Sequence, residues 1–481
     1  MKKILTFLFL LFFTTTALSS GNQSIADNPE VAGEIHLMEK WINSQIDFHH
    51  LPGIAVGVVY DQQLIYSKGF GYADLEYKIP ATPSTIYRIA SITKTFTSTA
   101  IMQLRDAGRL RLDDPVSTFL PWFKIQNKFK DSPPVTIRQL LTHTSGLPRE
   151  AAFPYWTDHK FPTREQIMQS LPDQQMIFES ETKYKYSNLG IALLGAVVEA
   201  ASGESYESYI SRHILQPLKM ENTSVSLPDW TVKNRAKSYS RLLKDGTREE
   251  IPVSDTKGIA PAANISTTVM DLAKFAAFQL SDGVSDGKIV LKKSTLREMH
   301  RVHWLYPDWS GGRGLGFSVS RLNGRTIVGH GGWVEGFRTR LSFCPEEKIA
   351  VVVMTNSDDS NPTFFAHRIY ELLAPAILNV TKPGAEKRVA DPSWTAYTGK
   401  YEDPWHWEYE VMILNDRLVL YGSEYPPEDN PESALTELIP ESEHTFRMKG
   451  NGELLIFEMG NDGKVARIRK GVNYIYPVKT E

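Results

Sequence analysis

The sequence predicts a mixed α/β (α+β) chain, and three observations carry that reading. Short β-rich runs gather at the two ends of the region 29–381, each beside an amphipathic or apolar helical pattern. The centre of that region mixes helical patterns with long connections rich in Pro, Ser and Asp. Beyond the break at Lys382-Pro383-Gly384 the pattern changes to short strands and turn signals, which predicts a C-terminal antiparallel, barrel-like β domain over residues 388–481.

Residues 1–20 open with Lys2 and Lys3, continue with an apolar run from Ile4 to Phe13 and end in small and polar residues, the pattern of a secretory signal peptide. An apolar core of about ten residues is shorter than the ~20 that span a bilayer, so no stable membrane span is expected. The alternative is an uncleaved anchor. Val31 to Phe48 then places Ile35, Met38, Trp41, Ile42 and Ile46 at helical spacing. From Gly53 to Lys68 the runs Ile54–Val59 and Leu64–Tyr66, parted by polar Asp61-Gln62-Gln63, read as a hairpin. Leu189 to Ala201 reads as helix. Strands return between Leu315 and Thr355, above all in Ile349–Met354, and an apolar helix follows from Phe364 to Leu378. In the C-terminal domain Asn415-Asp416, Gly450-Asn451-Gly452 and Gly460-Asn461-Asp462-Gly463 mark the hairpins.

With 53 Lys+Arg against 56 Asp+Glu in 481 residues, the net charge of −3 gives nucleic acid and anionic membranes no handle. A hydrophobic content of 41%, with 10 Trp, 20 Tyr and 22 Phe, excludes a disordered chain. The lone Cys344 excludes an intramolecular disulfide and any multi-Cys metal centre. Export without disulfides suits a bacterial periplasm or the medium, so the protein is expected to be secreted or periplasmic.

Three short motifs carry chemistry. Ser91 and Lys94 open an apolar helical pattern, so the lysine lies one turn from the serine on the same face and can accept or promote loss of its proton. Other S-x-x-K matches, at Ser180, Ser254 and Ser285, sit in or before polar stretches. Tyr186-Ser187-Asn188 is the only Y-x-N among 20 tyrosines; a tyrosine at a serine hydroxyl can act as general base where an adjacent ammonium depresses its pKa. His330-Gly331-Gly332 is the only H-x-G among 12 histidines and lies in a strand pattern, where glycine permits the close backbone approach that a substrate along a strand edge requires. Each motif alone also has a plain structural reading: an N-cap serine, a core tyrosine, a turn or core histidine.

In this order and at separations of 95 and 144 residues, the three motifs resemble the serine β-lactamase and penicillin-binding-protein superfamily, in particular the group around class C β-lactamases, D-stereospecific peptidases and esterases. Leu140–Pro148, Gly69–Asp74 and Ser266–Leu272 support the resemblance, which covers about residues 30–380. It implies an antiparallel sheet flanked by terminal helices, with a mostly helical lobe inserted. It implies Ser91 as the acylated nucleophile, with Lys94 and Tyr186 sharing its proton and later activating water. Asn188 would bind substrate, the backbone N–H groups of Ser91 and Trp333 would form an oxyanion hole, and His330 and Gly332 would line the strand edge. No metal or cofactor is implied. The expected substrates are small acyl esters, amides or D-amino-acid peptides. β-Lactamases of this kind usually carry K-T-G where this chain has His330-Gly331-Gly332, so a fixed cation for a substrate carboxylate is missing there.

Other candidates fall away. His300 and His303 lack a third metal ligand at a recognisable spacing. Gly283-Val284-Ser285-Asp286-Gly287 follows a helical pattern and precedes a strand, the reverse of a nucleophile elbow. Cys344 reads as a small buried hydrophobe, and His143 as part of a structural motif. The sequence therefore predicts an exported serine hydrolase of esterase or D-peptidase type. The alternative is a β-lactamase or a penicillin-binding sensor that acylates with little turnover.

Overall fold

The computed structural model describes residues 24–285, 287–384, 389–422 and 424–478, so the leader 1–20 lies outside the described residues. No described helix is long and apolar enough to cross a membrane.

A nine-stranded antiparallel sheet joins the two ends of the region 29–381. Strand Gly53–Tyr60 pairs on one side with Gln63–Asp74, across a turn whose Asp61 and Gln62 both have positive φ, and on the other with Ile349–Thr355. Outward from there run Phe337–Cys344, Arg325–Val334, Ser318–Leu322 and Gly311–Arg313. The two central strands are covered on both faces, which is why they read as unbroken apolar runs. Alternate residues divide between two cores: Ala55, Val59, Ala350, Val352 and Met354 face the helical lobe, whereas Ile54, Val56, Val58, Ile349, Val351 and Val353 face the terminal helices.

Those terminal helices are Pro29–His49 and Pro362–Thr381. Each exceeds its apolar pattern by a few residues because capping, not packing, sets its start: Asn28 Oδ1 accepts from Glu30 N–H, and Asn361 Oδ1 from Phe364 N–H. On the opposite face the helices Thr93–Asp106, Asn188–Ser202 and Val269–Leu280 share one core, with the Phe96 and Phe275 rings stacked at 3.9 Å. Gly195 lets the helix Asn188–Ser202 press on Pro261, whose Cγ lies 2.1 Å from where a Cβ would stand.

The C-terminal strands close into an eight-stranded barrel. In Arg417–Gly422, Leu418 and Leu420 point inside while Val419 and Tyr421 pack in the same core as the helix Pro29–His49. That helix also donates Trp41 Nε1–H and Gln45 Nε2–H to the Glu428 carbonyl, and pairs Lys40 and His36 with Glu410. The barrel is thus docked on the back of the sheet. The motif serine Ser285 lies in a short hairpin and donates to the Pro217 carbonyl. His300 packs between the Phe317 and Phe343 rings, and Cys344 is buried.

Glu34 sits at this docking surface with only 6% exposure, and among the described residues its carboxylate accepts one side-chain hydrogen bond, from Asn415 Nδ2 at 3.3 Å. Burial, reinforced by Glu432, raises its pKa from 4.5 to about 7. The neutral acid is therefore the form the fold accommodates: its stabilising effect is complete below about 4.5 and disappears as pH rises through about 7. Glu34→Gln should raise the melting temperature by at least ~2 °C at pH 8 and change it little near pH 4.5. Equal shifts at both pH values, read by calorimetry, would contradict this account.

Candidate active site

Ser91 lies in the tight turn Ala90–Ile92 that feeds the helix Thr93–Asp106. The residue before it, Ala90, holds φ at +47°, a left-handed conformation unusual for a residue with a Cβ. Lys94, one turn on, has 0% exposure; its Nζ lies 2.8 Å from Ser91 Oγ and donates to the Ala262 carbonyl at 2.8 Å. Burial drives the lysine pKa well below 10.5; Glu150 opposes this, and Arg149 and Arg313 reinforce it. Burial therefore favours the amine form, whose lone pair can take the hydroxyl proton.

Tyr186 reaches Ser91 as well. Burial raises the pKa of its phenol, and the contact with Ser91 lowers it only in part. The condition for a phenolate, an adjacent ammonium, is opposed, because the same burial that raises the tyrosine pKa also disfavours the charged form of the lysine. Tyr186 is thus a proton donor in the resting site. Its ring is held by His143 at 4.4 Å and by the Arg149 guanidinium at 5.0 Å. His143, at the end of the helix Ile137–Thr142, accepts from Ser187 N–H at 3.2 Å through Nδ1, and its carbonyl accepts from Lys185 N–H at 2.8 Å. It supports the Tyr186 segment from below.

Asn188 begins the helix capped by Ser187, whose Oγ accepts from Gly190 N–H at 2.8 Å. Its Nδ2 donates to both Glu150 oxygens at 2.8 and 3.1 Å, while its buried Oδ1 has no hydrogen-bond partner among the described residues. The donor that a substrate carbonyl would use is already engaged.

The strand Arg325–Val334 supplies the facing wall. Gly332 is needed there: a Cβ would stand 2.1 Å from the Ile89 carbonyl oxygen, two residues before the nucleophile. Thr339 Oγ1–H donates to that same oxygen at 3.2 Å. His330 is buried, and its Nδ1 must carry the hydrogen because it meets the Gly331 carbonyl at 2.6 Å. Burial, then Lys94 and Arg313, push its pKa well below 6.5, so the ring is neutral and presents Nε2 as an acceptor. Trp333 is 60% exposed, donates Nε1–H to Asp358 at 2.6 Å and stacks under Arg338 at 4.6 Å.

One buried ion pair joins the two walls. Arg88, three residues before Ser91, donates to Glu335 at 2.9 Å, to the Ser254 carbonyl at 2.6 Å and to Asn264 Oδ1 at 2.7 Å. Glu335, in the turn that ends the His330 strand, also accepts from Ser254 N–H at 2.8 Å. Between the walls is a cavity of about 1120 Å³ reached by Ser91, Tyr186, Asn188, His330, Gly332 and Trp333. Every described residue that lines it falls between 91 and 363, so none of the described barrel residues covers it. The sequence reading passed over Arg149, Glu150 and Arg313. For the first two a signal existed, since they directly follow the Leu140–Pro148 segment.

Comparison with known proteins agrees with this geometry. The chain is 29% identical over 386 residues to "Beta-lactamase-like protein 2" of Dictyostelium discoideum, covering 78% of this chain and 69% of that protein. It is 28% identical over 346 residues to "Protein flp" of Staphylococcus aureus (strain MW2), covering 69% of this chain and 67% of that protein. Among solved structures, the octameric penicillin-binding protein homologue from Pyrococcus abyssi superposes with a TM-score of 0.62 at 27% identity, over 92% of this chain and 99% of that one. The Beta-lactamase family model matches residues 38–376, most of the chain and all three motifs, so this protein belongs to the β-lactamase family, within the serine β-lactamase and penicillin-binding-protein superfamily.

Proposed function

We propose that the protein is an exported serine hydrolase that cleaves ester or amide bonds of small acyl substrates, of esterase or D-stereospecific peptidase type, through an acyl-enzyme on Ser91. The observation that carries this reading is the 2.8 Å contact between Ser91 Oγ and a fully buried Lys94 whose pKa is depressed. In the first step Ser91 Oγ attacks the substrate carbonyl carbon as its proton passes to Lys94 Nζ. The negative charge that develops on the carbonyl oxygen is met by the backbone N–H groups of Ser91 and Trp333. The leaving alcohol or amine takes its proton through Tyr186, which Lys94 reprotonates. Water then attacks the acyl ester and gives its proton to Lys94, which passes it to Ser91 Oγ as the acid is released. A secreted or periplasmic location is part of the proposal and rests on the leader pattern of residues 1–20.

The neutral His330 supports esters, amides and peptides as substrates over β-lactams. A neutral imidazole contributes no fixed charge where K-T-G enzymes place an ammonium for a carboxylate.

An active-site fluorophosphonate should label Ser91 in peptide mapping, and Ser91→Ala should abolish turnover of short acyl esters and D-amino-acid amides. Label on another serine, with the protein folded, would overturn the assignment. One equivalent of product followed by a stop would favour the acylating sensor.

Lys94→Ala and Tyr186→Phe should each lower kcat by ~10²–10⁴-fold, the range for lost general acid–base catalysis, with the circular dichroism spectrum preserved. A near-normal rate in either variant removes that residue from the proton path.

Gly332→Ala tests the facing wall. Its Cβ must displace the Ile89 backbone or the strand, so kcat should drop by at least ~10²-fold, as when an oxyanion donor is lost. Wild-type kinetics from Gly332→Ala would show that the strand and the nucleophile turn need not touch.

A further inference from the structure

Glu150 stands in the cavity wall, yet no step of the hydrolytic sequence uses it. Its carboxylate gathers side chains from three places in the fold. Asn188 Nδ2 donates to both oxygens at 2.8 and 3.1 Å, the Tyr155 hydroxyl donates to Oε2, and Arg149 Nε donates to Oε1 at 3.1 Å. The backbone is fixed too: Gln174 Nε2–H donates to the Glu150 carbonyl at 3.0 Å, and Asn188 N–H to the Arg149 carbonyl at 2.7 Å. Four hydrogen bonds fill the lone pairs of a carboxylate, so this one is oriented and has no capacity left for a ligand.

We propose that Glu150 is a positioning residue of the hydrolytic site: its carboxylate fixes the Asn188 amide and holds the Arg149 guanidinium over Tyr186, and its charge offsets the cations around Lys94. The inference rests on the reading of Ser91 and Lys94 given above. Three charged groups act on Lys94, and they differ in sign. Glu150 favours the ammonium, whereas Arg149 and Arg313 disfavour it. The other titratable groups around it, His143, His330 and Tyr186, are held neutral by burial. Glu150 therefore keeps the lysine basic enough to take a proton from a serine, in a site whose burial and arginines all act the other way.

The sign of the test follows. Lys94 must be unprotonated to accept the serine proton, so activity rises as pH climbs through its pKa. Removal of the Glu150 charge lowers that pKa. Glu150→Gln, which keeps the size and loses the charge, should move the acid limb of the kcat/KM profile down by ~0.5–1 pH unit and lower kcat by about tenfold. Glu150→Asp keeps the charge and withdraws it from Asn188, so kcat should fall while the acid limb stays near its wild-type position. Stoichiometric fluorophosphonate labelling of wild-type Ser91 is measured alongside, and absence of that label sinks the hydrolase reading itself. With Ser91 labelled, an unmoved acid limb and unchanged kcat in Glu150→Gln overturn the proposal. If Glu150→Gln does not fold, Glu150→Asp decides: wild-type kcat and KM there would overturn the positioning role.

Discussion

Lys94 has no exposure to water, and the chemistry of the site depends on that burial more than on any single contact. A desolvated primary amine holds its proton weakly, so the residue one turn from Ser91 is a base before any substrate arrives. The same desolvation keeps Tyr186 protonated and His143 and His330 uncharged. Charge around the serine is then confined to Arg149, Arg313 and Glu150. In the proposed acylation, transfer of the Ser91 proton to Lys94 would create an ammonium and an oxyanion together in a poorly screened space, where fixed dipoles and N–H groups act more strongly than they do in water.

Such a site needs its two walls held at fixed separation, and the sequence does this with a close backbone contact and one buried ion pair. Ala90 is held at φ +47°, a conformation that persists only where the surroundings enforce it. The enforcement comes from Gly332 pressed against the Ile89 carbonyl and from Arg88 bonded to Glu335 at the end of the facing strand. Arg88 is fully buried and Glu335 nearly so, and loss of one partner would cost about 3–5 kcal/mol and loosen both walls at once. The ion pair thus serves geometry more than net stability.

How much of this was legible in the sequence depends on the range of the interaction. Ile54–Val59 and Ile349–Met354 read as strands because a strand covered on both faces is apolar throughout, and the barrel hairpins read from local turn residues. Ser91, Lys94, Tyr186, Asn188 and His330 stood out by residue type and spacing. What did not read were charge states and commitments set by distant neighbours. That the Lys94 pKa is depressed follows from complete enclosure, that the Asn188 donor is engaged follows from Glu150, and that His143 supports Tyr186 follows from a contact across the lobe. The docking of the barrel on the helix Pro29–His49 was equally silent, since Trp41 and Gln45 look like ordinary helix residues until the Glu428 carbonyl is placed beside them.

The H-x-G departure looks different once those charges are placed. A lysine in place of His330 would bring an ammonium close to Arg313 and to the proton-accepting Lys94, and charge on either of these pushes the histidine toward neutrality. The imidazole avoids that repulsion. With Nδ1–H committed to the Gly331 carbonyl, it offers the cavity a hydrogen-bond acceptor in place of a cation. The positive field of the site then comes from Arg149 and Arg313, on the lobe and the sheet edge, instead of from the substrate strand. In this chain the charge that polarises the reaction and the edge that would hold the substrate are carried by different elements. Substrate choice at the strand is thereby separated from the electrostatics that set the base.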